Sequence, residues 1–136
     1  MAKRKRITTK EKIEKNIKKG IGQEVGENYI PWIKIQDVAS TGRATRLRGI
    51  KTNRQHEFLS DMERDYFYLF EYSDCVIDIR EQFPLLPIEL AENILEEIGV
   101  NHPYIKGEDN VVMTTDFFIT VEINGEQRYI ARTIKL

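Results

Sequence analysis

A β-hairpin is predicted by residues 112–136, which read VMTTDFFITVEINGEQRYIARTIKL. The first ten of these residues are rich in β-branched and aromatic side chains, as strands are, and the Asn-Gly pair in INGE favours a tight turn. The run QRYIARTIKL then returns as the partner strand. Because alternate residues of a strand share a face, we expect Ala131, Thr133 and Lys135 on one face, shared with Asp116 if the register matches.

The aspartate in this hairpin requires an explanation. Both β propensity and desolvation disfavour Asp116 inside an apolar strand, and a bound cation would offset that cost. An aspartate on one strand with Lys135 at the end of the next forms the core of the PD-(D/E)xK nuclease pattern. There the carboxylate holds a divalent metal and the lysine polarises or deprotonates the attacking water. Carboxylates and water suit Mg²⁺, but the spacing D-x(18)-K also occurs by chance.

The segment SDMERDYFYLFEYS, which begins at Ser60, is predicted to be an amphipathic helix. Its apolar face is expected at four positions with helical spacing: Met62, Tyr66, Leu69 and Phe70. Ser60 and Glu63 form an S-x-x-E capping signature. Capping the helix start would account for Glu63 on its own, so this glutamate has a structural interpretation as well as a catalytic one.

Four further elements are predicted from the local pattern. Residues 9–19 read as a short basic helix and residues 88–99 as a second amphipathic helix that ends at a glycine. The run CVIDI at 75–79 is a strand, in which Cys75 is expected to be a small core residue. The following EQFPLLP, at 81–87, is an extended apolar stretch whose two prolines exclude it from a sheet interior.

The distribution of charge divides the chain into a basic arm and an acidic body. Residues 1–20 hold nine Lys or Arg against two Glu, whereas residues 21–136 hold twelve basic and twenty acidic residues. This indicates one domain at 21–136 preceded by an arm at 1–20. A second basic stretch is a candidate phosphate-binding surface, with five cations and no acid between them: Arg43, Arg46, Arg48, Lys51 and Arg54.

The cellular compartment is predicted from what the sequence contains. A single cysteine cannot form an internal disulfide, which is typical of a reducing compartment. No run of residues approaches the roughly 20 apolar residues of a membrane span, and the charged first residues lack the apolar core of a signal peptide. We therefore expect a cytoplasmic protein.

Several segments together resemble one family of enzymes. These are YIPWIKIQDV at 29–38, STGR at 40–43, LSDMERDYFYLFEYSDCVIDIREQFPLLP at 59–87, HPYIKG at 102–107 and MTTDF at 113–117. In order and spacing they resemble the N-terminal catalytic domain of the TnsA family, the transposon-end endonucleases that work beside a transposase. The resemblance extends from about residue 17 to the last residue.

The resemblance implies an α/β fold of the restriction-endonuclease-like (PD-(D/E)xK) type, with a mixed sheet flanked by helices. It also implies a Mg²⁺-dependent DNA endonuclease, with Mn²⁺ as a substitute, that cleaves the 5′ strand at transposon ends. The partners implied are double-stranded DNA, a DDE-type transposase that cuts and joins the 3′ ends, and an ATPase regulator. Glu63 and Asp116 would be metal ligands and Lys135 the cation that activates water.

Two departures from the family pattern leave alternatives open. Thr133 stands where the family has a metal-site glutamine, and a hydroxyl is a poorer ligand, although the backbone carbonyl of Thr133 could coordinate. The family also continues beyond the lysine, so the domain is expected to lack its last core helix and strand. A DNA-binding or assembly module without catalysis is therefore one alternative function, and a stand-alone restriction or repair nuclease is another.

Overall fold

The computed structural model describes residues 10–37, 44–99 and 112–134. The helices are α1 at Lys10–Lys18, α2 at Asp61–Tyr72 and α3 at Ile88–Glu97, and short 3-10 turns lie at Gly26–Asn28 and Ile35–Asp37. The strands are β1 at Thr45–Arg48, β2 at Gln55–Phe58, β3 at Val76–Pro84, β4 at Thr114–Ile123 and β5 at Glu126–Arg132. The predicted helices are confirmed within one or two residues at each end.

The strands of the described ranges form two antiparallel sheets. Strands β1 and β2 pair as a hairpin, and the second sheet has the order β3-β4-β5. The predicted β4–β5 hairpin is confirmed, with Asn124 and Gly125 both at positive φ as a tight turn of this kind requires. The chain is therefore a small α/β arrangement. All its described pairings are antiparallel, whereas the family resemblance implies a mixed sheet, so the complete restriction-endonuclease-like fold stays a prediction.

Helix α2 packs on one face of the three-stranded sheet and closes the core. The buried core consists of Phe58, Phe67, Val76, Ile79, Phe117, Ile119 and Val121. Phe67 contributes from the helix, and its ring lies 4.8 Å from that of Phe58 on β2. Each fully buried side chain of this size stabilises the fold by roughly 1.5–3 kcal/mol. The core therefore joins both sheets to α2, whose first turn carries Glu63.

Three details of the predicted elements are wrong. The buried face of α2 is shifted, because Glu63 and Phe67 are buried whereas Tyr66 is 40% and Leu69 is 65% exposed. The strand predicted at 75–79 is too short, because β3 continues to Pro84 at an edge of the described sheet, where a proline is tolerated. Cys75 is exposed instead of buried.

Helix α1 is connected to the body by one buried side chain and a glycine-rich turn. Ile13 is 2% exposed, and Gly22 donates its backbone N–H to the carbonyl of Ile30 at 2.8 Å. A Cβ on Gly22 would lie 2.4 Å from Pro84 and would clash, so this position requires glycine. None of the helices seen in the described ranges is long and apolar enough to cross a membrane.

Candidate functional site

The first turn of α2 holds the Glu63 side chain in a defined orientation. Ser60 precedes the helix with extended backbone, and its hydroxyl oxygen accepts a hydrogen bond from the Glu63 backbone N–H at 3.2 Å. The same hydroxyl donates to Oε2 of Glu63 at 2.8 Å. The predicted cap is confirmed. It also orients a carboxylate that is only 7% exposed, so the structural and the catalytic interpretations of Glu63 are compatible.

A second polar side chain, which the sequence did not single out, contacts the other oxygen of this carboxylate. Gln82 on β3 donates from Nε2 to Oε1 of Glu63 at 2.9 Å, and its own Oε1 accepts from the Thr114 hydroxyl at 3.4 Å. Gln82 is 4% exposed. The sequence signal was the polar run Arg80-Glu81-Gln82 between the apolar residues Ile79 and Phe83.

Asp116 lies near the start of β4, at the end of the hairpin away from its turn. It is half-buried, and its Oδ2 accepts a hydrogen bond from the backbone N–H of Ile134 at 2.7 Å. This contact places the segment that follows β5 beside the Asp116 carboxylate. The register pairs Phe117 with Arg132, so Asp116 and Thr133 are the next positions along the same ladder.

Of the two remaining predicted site residues, Thr133 is among the described residues and Lys135 is not. Thr133 is exposed, and its hydroxyl lies 3.5 Å from the hydroxyl of Thr115. Lys135 lies outside the described residues, one position after Ile134.

The strand register brings the two carboxylates toward each other, because Gln82, which donates to Glu63, lies opposite Asp116 in the pairing of β3 with β4. Burial raises the pKa of Glu63, and the negative charge of Asp116 raises that pKa further. Hydrogen bonds from Ser60 and Gln82 oppose the rise without cancelling it. Two partly desolvated carboxylates repel each other, and a cation between them would stabilise both charged forms.

The oxygen atoms of this site fit Mg²⁺. Hard cations prefer carboxylate and water oxygens, and Mg²⁺ usually takes only one or two protein carboxylates and keeps several waters. Glu63 and Asp116 meet that requirement. Within the ranges that the structure describes, no group of three or more His, Cys, Asp or Glu side chains is placed to hold a metal, so any site here uses this pair with water or amide and carbonyl oxygens.

Arg54, which was predicted to bind DNA, is instead part of a buried network. It is 7% exposed, and its guanidinium contacts Glu81 at 2.6 and 3.3 Å and donates to the carbonyl of Ile79 at 2.9 Å. Glu81 is fully buried, and it also accepts from the Glu57 backbone N–H at 2.8 Å and contacts His56 Nδ1 at 3.2 Å. A guanidinium held this way cannot reach a phosphate. Sequence reasoning counted its charge but could not detect its partner on β3.

The other predicted DNA-binding residues divide into two groups, and Arg43 lies outside the described residues. Arg46 and Arg48 are exposed on the same face of β1, where they contact Glu57 and Asn53 respectively. Lys51 donates from Nζ to the carbonyl of Ser73 at 2.8 Å, which satisfies the C-terminal end of α2. Two arginines of the predicted set are thus available to a ligand in solution.

Comparison with known proteins gives two matches. Residues 73–136 match the family model described as TnsA-like endonuclease N terminal. The chain is also 44% identical over 119 residues to the transposon Tn7 transposition protein TnsA of Escherichia coli. That alignment covers 88% of this chain but 43% of the relative, so the chain spans less than half the length of that protein.

Proposed function

We propose that the chain is the metal-dependent endonuclease domain of a transposition machinery. Its match to the TnsA-like endonuclease N-terminal family model over residues 73–136, and its identity to a transposition protein, support this. The observation that carries the proposal is that Gln82 connects the two carboxylates: it donates to Glu63 on α2 and accepts from the Thr114 hydroxyl. Thr114 lies two residues before Asp116, near the start of β4. The substrate is the 5′ strand at transposon ends. The proposed partners are a DDE-type transposase and an ATPase regulator.

In this proposal Glu63 and Asp116 hold Mg²⁺, for which Mn²⁺ can substitute. When bound, Mg²⁺ neutralises the negative charge that develops on the phosphate during hydrolysis. Ser60 and Gln82 each donate a hydrogen bond to one oxygen of Glu63, which fixes the plane of the carboxylate. Lys135 is the group that orients the attacking water and stabilises its deprotonated form. The contact from Ile134, its neighbour in the chain, to Asp116 supports that role.

DNA contact by the exposed arginines of β1 gives a prediction that does not depend on catalysis. We expect the double variant Arg46→Ala, Arg48→Ala to bind duplex DNA more weakly and with a salt slope lower by about 1.8, because each phosphate contact contributes about 0.9. Fluorescence anisotropy at several salt concentrations, in EDTA, measures this slope. Arg128→Ala is the matched control, since Arg128 is also exposed but lies at the turn end of the β4–β5 hairpin. Equal slopes in all three proteins would contradict the assignment.

One observation favours a second candidate function, an assembly module that keeps the fold and has lost catalysis. The Thr133 hydroxyl lies beside Thr115, and a threonine side chain is too short to replace a metal-binding amide. Such a module would bind DNA through Arg46 and Arg48 without requiring a metal. The two functions therefore differ in whether a divalent cation binds.

The test of the proposed function is titration calorimetry with Mn²⁺, followed by a cleavage assay on end-labelled duplex DNA. We expect saturable Mn²⁺ binding, and strand cleavage in Mn²⁺ that EDTA abolishes. If the chain binds Mn²⁺ but does not cleave DNA alone, the cleavage assay is repeated with the transposase present. The absence of Mn²⁺ binding at millimolar concentration would contradict the nuclease and favour the assembly module.

A further inference from the structure

Gln82 has an unusual backbone conformation for a residue within a strand. Its φ is 43°, in the left-handed region that non-glycine residues without a short polar side chain seldom adopt. Such conformations persist only where surrounding contacts enforce them, and they concentrate at functional sites. Here the Gln82 carbonyl accepts hydrogen bonds from the backbone N–H of Trp32 at 3.1 Å and the hydroxyl of Tyr29 at 3.2 Å. The segment before β1 thus holds the kink in place.

The kink changes which way the side chains of β3 point. Consecutive residues of a strand normally alternate between faces. Glu81 contacts His56 on β2 and Arg54 just before it. Gln82, the next residue, contacts Glu63 on α2. Both therefore point to the side that β2 and α2 cover. Phe83 then stacks on Phe118, whose neighbour in the chain, Phe117, faces the core.

The amide of Gln82 is itself oriented from both ends. The Thr114 hydroxyl donates to its oxygen, so its nitrogen is directed to Oε1 of Glu63. The Ser60 hydroxyl donates to the other oxygen, Oε2. A carboxylate has about four acceptor sites, so these contacts fix its plane and leave at least one site for a cation.

We propose that Gln82 is a positioning residue that holds the Glu63 carboxylate in its metal-binding orientation. This inference rests on the proposed function. It explains the strained backbone of Gln82 by the role of its side chain beside the metal site. Outer-shell partners that orient a ligand typically change metal affinity by about 10–100-fold when they are removed. A residue that only joined β3 to α2 would change the stability of the fold and leave the affinity for metal unaltered.

Two variants test the role with Mn²⁺ as the probe. Gln82→Met keeps the length of the side chain and removes both hydrogen bonds. Gln82→Asn keeps the amide but is too short to reach Glu63, and asparagine adopts a positive φ more readily than glutamine, which keeps the strand folded. We expect both variants to bind Mn²⁺ at least about tenfold more weakly by calorimetry. We also expect the melting temperature of Gln82→Asn without metal to stay close to that of the parent.

The outcomes separate this inference from the proposed function. If the parent binds Mn²⁺ and Gln82→Asn binds it within twofold of the parent, Gln82 has no positioning role and the nuclease proposal stands. If the parent does not bind Mn²⁺, the metal site and the role of Gln82 are both overturned. Thr114→Val, which removes only the hydroxyl that orients the amide, should weaken Mn²⁺ binding less than either variant of Gln82.

Discussion

Asp116→Ala should abolish Mn²⁺ binding and, with it, any DNA cleavage. Asp116 is the second of the two carboxylates that we propose to hold the metal, and Glu63 alone would offer a cation only one charged ligand. Removing a direct ligand should reduce Mn²⁺ affinity by more than about 100-fold, beyond the range typical of outer-shell residues. Titration calorimetry on the parent and the variant measures the change.

The matched control separates loss of the metal site from loss of structure. Asp116 Oδ2 accepts the backbone N–H of Ile134, so the alanine variant also loses a hydrogen bond that holds the segment after β5. Asp116→Asn keeps an acceptor oxygen for that N–H and removes the charge. We expect the asparagine variant to lose Mn²⁺ binding while its melting temperature stays above that of the alanine variant. Mn²⁺ binding retained by both variants would contradict a metal site at Asp116.

The same pair of variants distinguishes an enzyme from an assembly module. In EDTA, both variants should bind duplex DNA at least as tightly as the parent, because the change removes a negative charge that would face phosphate. An assembly module would bind DNA equally well in the parent and in both variants, and a divalent cation would not change that binding. Loss of DNA affinity in Asp116→Asn would instead indicate that the carboxylate supports the DNA-binding surface structurally.

Local patterns predicted those parts of the fold that depend on neighbours in sequence. Asn124 and Gly125 specify a tight turn by their own backbone preferences, and the turn determines the register of β4 and β5. Ser60 and Glu63 are three residues apart, which is enough to form the capping signature. The family resemblance pairs Asp116 with Glu63 as predicted metal ligands, which no spacing rule could have done.

Two of the incorrect predictions, the buried face of α2 and the role of Arg54, share a physical cause, since each involves a polar side chain satisfied by a partner distant in sequence. A helical pattern assigns charged residues to solvent, so the buried face of α2 was placed on Tyr66 and Leu69. Glu63 occupies that face because Gln82 supplies a hydrogen bond from β3. Arg54 was assigned to a DNA surface for the same reason, and its true partner is Glu81.

The buried Arg54–Glu81 pair gives the largest expected effect on stability. Glu81 is completely buried, and Glu81→Gln would leave the Arg54 guanidinium in the interior without a counter-charge. Breaking one partner of such a pair costs about 3–5 kcal/mol. We expect the free energy of unfolding to fall by that amount at pH 7, measured by urea denaturation. Glu126→Gln breaks the exposed pair with Arg128 and should change stability by at most about 1 kcal/mol.

The effect of Glu81 should also depend on pH in a defined direction. Burial alone would raise the pKa of this carboxyl, but hydrogen bonds and charge from His56 and Arg54 outweigh burial and lower the pKa from 4.5 to about 2. A carboxyl whose pKa is lower in the folded state contributes stability that is complete above the unfolded value. That contribution, about 3 kcal/mol at 1.36 kcal/mol per pKa unit, is lost as pH falls from 4.5 toward 2.

The difference between the parent and Glu81→Gln isolates this contribution, because every other titrating group is common to both proteins. Their free energies of unfolding should approach each other as the pH is lowered from 4.5 toward 2, because over this range the unfolded parent takes up a proton at Glu81 and the folded parent does not. If the difference in free energy of unfolding stays constant over this range, or is below about 1 kcal/mol at pH 7, the Arg54–Glu81 pair contributes little to stability. Because Glu81 and Gln82 are adjacent on β3, a large gap would also mean that the network anchoring the strand beside Glu63 depends on charge.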